Sequence, residues 1–167
     1  VKNELLARNL SHISIAAAAE HMIDSNFEVL LEKSEVLPIQ KNYLLIEMSY
    51  LQASINFEEA LQKISSKRFF PILAHPERYV YLHHSKKYSH YKNKGVLFQL
   101  NLLSLGAYYG KEVSKMAHQL LENNLIDFAG SDVHNVRQLN ALKSIQISEK
   151  VAQQLIPVLE RTITNFG

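Results

Sequence analysis

Four apolar runs in this chain each lead into a side chain that can bind a metal ion. The runs end at Glu20, Glu47, His75 and Asp132, and His134 follows the last of them by two residues. Short apolar runs separated by helical patterns predict parallel β-strands, whose carboxyl ends gather on one face of a sheet or barrel. Carboxylates and imidazoles delivered there from several strands can form a catalytic metal cluster. The pattern therefore predicts an α/β fold and a metal-dependent hydrolase.

The segments between and after these runs carry the periodicities of alternating strands and helices. The apolar positions of residues 112–123, for example, follow the spacing of an amphipathic helix. With mostly short connections and no repeat or linker, we expect a single domain over residues 1–167. We predict strands at 12–19, 44–46, 69–74, 96–100 and 125–129, and helices at 1–9, 57–64, 79–94, 112–123, 136–144 and 148–164.

Composition narrows the function classes. At 167 residues the chain can bury a sizeable core. A net charge of only +2 argues against a dedicated nucleic-acid-binding protein. The absence of cysteine excludes disulfides and thiolate zinc sites, and it fits a reducing cytoplasm. No apolar run approaches the roughly 20 residues needed to span a bilayer, so we expect no membrane span.

The densest cluster of chemically useful residues is His75-Pro76-Glu77-Arg78. Pro76 favours an extended backbone at His75 and is tolerated in the first turn of a following helix. Arg78 would then lie near a helix start, where its planar guanidinium can bind a phosphate. The residues alone leave a structural alternative open, in which His75 ends a core strand and Arg78 pairs with Glu77.

Asp132 and His134 are two residues apart, so both side chains would point to the same side of an extended segment. Such a pair can serve two neighbouring metal ions. The alternative is a structural role, in which Ser131 or Asp132 caps a helix that begins near Val136. The two roles are compatible.

The two glutamates are more ambiguous when each is considered alone. Glu20 could bridge two cations or pair with a Lys or Arg, because an isolated carboxylate is costly to bury. Glu47 has no companion ligand among the residues that follow it, which favours a structural or supporting role. The eight tyrosines show no pattern that predicts stacking.

Two longer strings connect these residues to a known family. LAHPER at residues 73–78 and GSDVHN at 130–135 occur together and in this order. They resemble the PHP (polymerase and histidinol phosphatase) superfamily, and within it the bacterial manganese-dependent protein-tyrosine phosphatases of capsule and exopolysaccharide operons. The strings YLLIE at 43–47 and NLIDF at 124–128 are similar as well.

The resemblance implies a distorted PHP-type β/α barrel, of which this chain is the C-terminal portion. The complete domain would hold up to three divalent metal ions, with Mn²⁺ expected. A metal-activated hydroxide would attack the phosphorus, and no phosphoenzyme would form. By resemblance, the metal ligands are Glu20, Glu47, His75, Asp132 and His134, and the phosphate-binding arginines are Arg78 and Arg137.

The chain departs from the family pattern in two respects. The His-x-His and Thr-Pro-His strings that supply further ligands in the family do not occur in it. Arg137 lies two residues before the family position, where this chain has Leu139. Because the chain also starts at Val1, we expect it to be the later part of a longer enzyme. A truncated, non-catalytic module is the open alternative.

The functional prediction is a cytoplasmic phosphoesterase that removes phosphate from tyrosine in a protein, with a bacterial tyrosine kinase as the expected partner. The alternatives within the same superfamily are a histidinol-phosphate phosphatase and a nuclease-like phosphodiesterase. The near-neutral charge argues mildly against the last of these. An oligomer is compatible with the sequence.

Overall fold

The computed structural model describes residues 1–40 and 42–167, in which five strands form one parallel sheet. The order of the strands across the sheet is their order in the sequence, and every neighbouring pair is parallel. Right-handed crossovers between successive neighbours place the connecting helices on one side of such a sheet. The strands are β1 (Glu20–Met22), β2 (Tyr43–Glu47), β3 (Phe70–Ala74), β4 (Leu97–Asn101) and β5 (Phe128–Gly130).

The helices connect and follow these strands. Three of them carry a side-chain cap of a residue type that favours this position, since Asp24 accepts from the Phe27 amide, Asn135 from the Gln138 amide and Ser148 from the Val151 amide. None of the helices in the described ranges is both long and apolar enough to cross a bilayer. The α-helices are α1 (Lys2–Ala7), α2 (Ser25–Glu32), α3 (Phe57–Ser66), α4 (Lys87–Asn93), α5 (Lys111–Glu122), α6 (Val136–Lys143) and α7 (Glu149–Phe166), with 3-10 helices at Pro76–Arg78, Val80–Leu82 and Leu102–Gly106.

The two faces of the sheet differ in chemistry. Side chains alternate between the faces along a strand, so Leu44 and Ile46 of β2 point the same way as Phe98 and Leu100 of β4. All four are fully buried in one apolar core with residues of the helices. The opposite face carries the intervening residues, and it lines a cavity of about 190 Å³, whose wall includes Leu45, Gln99, Glu20, His75 and Asp132.

The end of α7 lies against the amino ends of the strands. The ring centroid of Phe166 is 5.2 Å from that of Tyr43 on β2 and 4.8 Å from that of Phe128 on β5. Aromatic pairs at such separations contribute favourably beyond the area they bury. This contact packs the amino ends of the strands, and the carboxyl ends carry the candidate site.

The stability of the helix-covered face depends on its largest residues. We expect Phe98→Ala to lower the free energy of unfolding by about 3–5 kcal/mol, because it leaves a cavity in a core that cannot fully collapse. Phe98 has 0% exposure, and Phe70, at the start of β3, is 55% exposed and provides the matched control. Urea unfolding of Phe98→Ala and Phe70→Ala measures the difference. Equal losses in the two variants would contradict this assignment of the core.

Most of the predicted elements are confirmed, and two are wrong. No strand forms at residues 12–19, where the backbone is irregular and almost wholly exposed; β1 instead begins at Glu20. Alanine has a low preference for strands, and apolar character alone does not create a pairing partner. The helix predicted at 79–94 is a 3-10 turn followed by α4, which starts only at Lys87. Helix α2 was not predicted, although Phe27 and Leu31 have helical spacing and are buried.

Candidate metal centre

Three of the predicted ligands converge near the carboxyl edge of the sheet, although Glu20, opposite Leu45, stands at the amino end of its strand and not at the carboxyl end that the sequence predicted. Glu20 opens β1, Glu47 closes β2, and His75 directly follows β3. Their nearest ligand atoms all lie within 4.8 Å of one another. His75 Nε2 is 3.0 Å from Glu20 Oε1 and 3.6 Å from Glu47 Oε2. Parallel pairing of β1, β2 and β3 therefore brings together residues that are far apart in the sequence.

The electrostatics of this cluster favour a positive charge. Burial lowers the pKa of His75, but its hydrogen bonds to Glu20 and Glu47 outweigh burial and raise the pKa to about 9. For Glu20, burial acts to raise the pKa, but the hydrogen bond and charge of His75 outweigh burial, and the pKa of Glu20 is lowered. Two carboxylates and an imidazole form a donor set of oxygen and nitrogen, which suits a divalent cation such as Mn²⁺ or Zn²⁺. The residues present thus fit a metal ion.

The backbone at His75 is not extended, contrary to the prediction. Its φ is 36° and its ψ is 54°, in the left-handed region, although its amide still donates to the Gln99 carbonyl at 2.8 Å. Asp132 also has a positive φ, of 49°. Such conformations cost about 1–3 kcal/mol each and persist where the surrounding structure imposes them, which is common at functional sites.

Arg78 pairs with Asp132 and not with Glu77. Its Nη1 donates to Asp132 Oδ2 at 2.9 Å. Glu77 is fully buried, and its Oε1 accepts from Ser104 Oγ at 2.7 Å and from the Asn101 amide at 3.1 Å. Burial raises the pKa of Glu77, with the Ser104 hydrogen bond opposing it. The structural alternative for Arg78 is therefore wrong, because the carboxylate next to it in sequence points into the protein.

Two tyrosine rings enclose the Arg78 guanidinium. Its Cζ lies 4.4 Å from the centroid of the Tyr50 ring and 4.2 Å from that of Tyr109. Tyr50 also stacks on Tyr79, at 5.9 Å and 23°, and its hydroxyl is 3.2 Å from His75 Nε2. No pattern in the sequence indicates these contacts, because they join residues from different loops. Cation–π contacts with two rings restrict the position of the guanidinium.

The remaining predicted residues lie at the rim. The His134 Nδ1 donates to the Asp132 carbonyl at 2.9 Å, and its side chain is 69% exposed, outside the cluster formed by Glu20 and its neighbours. Arg137 is exposed in the first turn of α6. Asn135 caps this helix by accepting from the Gln138 amide, so the helix-capping alternative for Ser131 or Asp132 is wrong.

Four residues at the site were not predicted. Tyr50 and Tyr109 contact the Arg78 guanidinium. Glu77 accepts from the Asn101 backbone amide, and the Asn101 side chain donates to Asp132. For Asn101 a signal was present, because it ends the apolar run of β4 in the same way that Glu47 ends that of β2.

Comparison with known proteins relates the chain to capsule biosynthesis. It matches the family model described as capsular polysaccharide synthesis, CpsB/CapC, over residues 2–154. It is 27% identical over 161 residues to the tyrosine-protein phosphatase YwqE of Bacillus subtilis strain 168, covering 94% of this chain and 63% of YwqE. It is 26% identical over 98 residues to the CapC protein of Staphylococcus aureus, covering 58% of this chain and 38% of CapC. The chain thus spans less than two thirds of either relative.

The same relationship holds for the fold. The chain superposes with a TM-score of 0.73 and 25% identity on a chain from the crystal structures of YwqE from Bacillus subtilis and CpsB from Streptococcus pneumoniae, described as unique metal-dependent tyrosine phosphatases. The match covers 96% of this chain and 70% of that one. Because the family model extends over nearly all of its residues, this chain belongs to the CpsB/CapC family of capsular polysaccharide synthesis.

Proposed function

We propose that this chain carries the metal-binding and phosphate-binding part of a phosphoesterase that hydrolyses phosphotyrosine in proteins of capsular or exopolysaccharide synthesis. One observation carries the proposal. A donor cluster for a cation, formed by Glu20, Glu47 and His75, lies at the same strand ends as an arginine whose guanidinium is fixed. The tyrosine phosphatase YwqE, similar over most of this chain, supports phosphotyrosine over histidinol phosphate as the substrate.

The cation would be held by residues from three or more strands. Glu20, Glu47 and His75 would bind one ion. Asp132 would contribute to a second ion through Oδ1, the oxygen that does not bind Arg78. His134 would bind this second ion as well after rotation of its exposed ring. A divalent cation here would supply positive charge and lower the pKa of water enough for it to act as a nucleophile at neutral pH. We propose Mn²⁺ as that ion.

Arg78 would bind and orient the phosphate. Its position between two rings restricts the guanidinium, so less conformational entropy is lost when two parallel hydrogen bonds form to phosphate oxygens. The same group would stabilise negative charge that develops on those oxygens in the transition state. Arg137, exposed on the first turn of α6, would assist only if its side chain reaches across the rim.

The wider setting is proposed on the same basis. A parallel sheet whose strand order follows the sequence is typical of barrels, which supports a PHP-type β/α barrel for the complete domain, with this chain as its later part. Further ligands would then come from strands that precede Val1. The absence of cysteine is compatible with the proposed location in the reducing cytoplasm. Membership of the capsule family supports a bacterial tyrosine kinase as the proposed substrate protein.

A metal-restoration assay tests this function. The purified protein, stripped of metal with a chelator and then given Mn²⁺, is assayed on a phosphotyrosine peptide, histidinol phosphate and a phosphodiester. We expect Mn²⁺ to restore hydrolysis of the phosphotyrosine peptide, because the ion held by the donor cluster would activate the attacking water. Mg²⁺ and Zn²⁺ at equal concentration serve as comparisons. Failure of every metal to restore hydrolysis of any substrate would exclude the proposed function.

A further inference from the structure

Asn101 ends its strand in the same way as the proposed metal ligand Glu47, but it is not itself a proposed metal ligand. It is the last residue of β4, lies between strands that lead to His75 and Asp132, and is 2% exposed. Its side-chain amide donates to Asp132 Oδ2 at 2.9 Å and to the Tyr109 hydroxyl at 3.3 Å. A single buried amide therefore contacts two of the three groups that hold Arg78, Asp132 and Tyr109 but not Tyr50.

The first of these contacts fixes the Asp132 carboxylate. Asp132 Oδ2 accepts from Arg78 and from Asn101, each at 2.9 Å. The other oxygen, Oδ1, points toward His134, whose Nδ1 is 3.5 Å away. Two donors on one oxygen set the plane of the carboxylate, and they leave Oδ1 as the oxygen that is available to a cation.

The second contact fixes the Tyr109 ring. The Tyr109 hydroxyl accepts from Asn101 and, at 3.4 Å, from Gln138 Nε2. The face of the same ring lies 4.2 Å from the Arg78 guanidinium carbon. Asn101 thus reaches Arg78 by two routes, through its ion-pair partner and through the ring that it stacks on.

Asn101 is itself rigidly held. Its backbone amide donates to buried Glu77 Oε1 at 3.1 Å, and its side-chain oxygen accepts from the Leu103 amide at 2.9 Å. With these bonds, the backbone and both polar atoms of the side chain are anchored. A side chain that is locked by its own neighbours can transmit geometry to the groups it contacts.

We propose that Asn101 is a positioning residue that couples the metal-binding and phosphate-binding halves of the site. It orients Asp132 for a cation and holds Arg78, through Asp132 and Tyr109, for a phosphate. This inference rests on the proposed function. Because Arg78 contacts phosphate in both the bound substrate and the transition state, loosening it weakens binding and raises KM more than it lowers kcat.

The primary test is Asn101→Ser. Serine retains an oxygen that can accept from the Leu103 amide, but it is too short to reach Asp132 or Tyr109. We expect the dissociation constant for inorganic phosphate, measured by calorimetry on the Mn²⁺-loaded protein, to rise about tenfold, with KM for a phosphotyrosine peptide rising similarly and kcat changing much less. Asp24→Ala, which removes the cap of α2, is the matched control for a general loss of stability.

A second variant keeps the proposal testable if Asn101→Ser folds poorly. Tyr109→Phe retains the ring over Arg78 and removes only the hydroxyl that Asn101 contacts. We expect it to weaken phosphate binding in the same direction. The double variant should show less than the sum of the two effects, because both substitutions break the same contact.

The possible results separate this inference from the proposed function. If the wild-type protein binds phosphate and hydrolyses the peptide while Asn101→Ser does both equally well, Asn101 has no positioning role. Equal losses in Asn101→Ser and Asp24→Ala, or fully additive effects in the double variant, would overturn it as well. A wild-type protein that neither binds phosphate nor turns over substrate would overturn both.

Discussion

His75→Ala is expected to abolish metal-dependent hydrolysis while leaving a cooperatively folded protein. His75 supplies the only imidazole in the described cluster and faces both carboxylates, Glu20 at 3.0 Å and Glu47 at 3.6 Å. Loss of groups that merely support ligands costs about 10–100-fold in metal affinity or activity, so loss of a ligand should reduce kcat/KM by at least about 100-fold. Bound Mn²⁺, measured by elemental analysis, and kcat/KM on a phosphotyrosine peptide check this result.

The control for His75 is another histidine that contacts a glutamate. His90 Nε2 lies 2.9 Å from Glu58 Oε1, and both side chains are about half exposed, at 50% and 48%. His90→Ala should keep both the metal content and the rate, because an exposed pair of this kind contributes little. Wild-type metal content and turnover in His75→Ala would show that the catalytic centre lies elsewhere.

Arg78→Lys is expected to lower kcat/KM by about 100-fold or more, even though it preserves the charge. The ammonium group of lysine is a point charge and cannot form two parallel bonds to a phosphate or stack as a plane between two rings. Arg78 does stack in this way, between Tyr50 and Tyr109, and it pairs with Asp132. Steady-state kinetics and the inhibition constant of inorganic phosphate measure the effect, and we expect phosphate inhibition to weaken in parallel with kcat/KM.

The control for Arg78 is an arginine–carboxylate pair on the surface. Arg8, the residue that follows α1, contacts Glu4 Oε1 through its Nε at 2.7 Å, with side-chain exposures of 68% and 64%. Arg8→Lys should leave both kinetic constants unchanged. If Arg78→Lys retained wild-type phosphate inhibition, the guanidinium would have no role in binding the phosphate, and its contact with Asp132 would be purely structural.

The parts of the fold that the sequence predicted are those with local signals. The strands at 44–46 and 69–74 are short apolar runs bounded by polar residues, and α5 has a clear helical period; each is confirmed within two residues. The failure at 12–19 has a physical cause. An apolar run predicts a strand only if a neighbouring strand pairs with it, and β1 pairs with β2 only from Glu20 onward.

The left-handed backbone of His75 could not be predicted from the sequence either. The proline rule describes which conformations clash, and it favours extended geometry. In the folded chain the His75 amide donates to the Gln99 carbonyl, and the chain then turns sharply into the 3-10 helix at Pro76–Arg78. These tertiary constraints outweigh the local preference.

The sequence by itself determined which metal-binding residue types follow the apolar runs, because hydrophobic periodicity and side-chain chemistry are properties of short segments. Only the tertiary structure decided which of them meet. Arg78 pairs with Asp132, 54 residues away, and Asn101 bridges Asp132 and Tyr109. Such contacts depend on the register and order of parallel strands, and these are set by the packing of the whole core and not by any one segment.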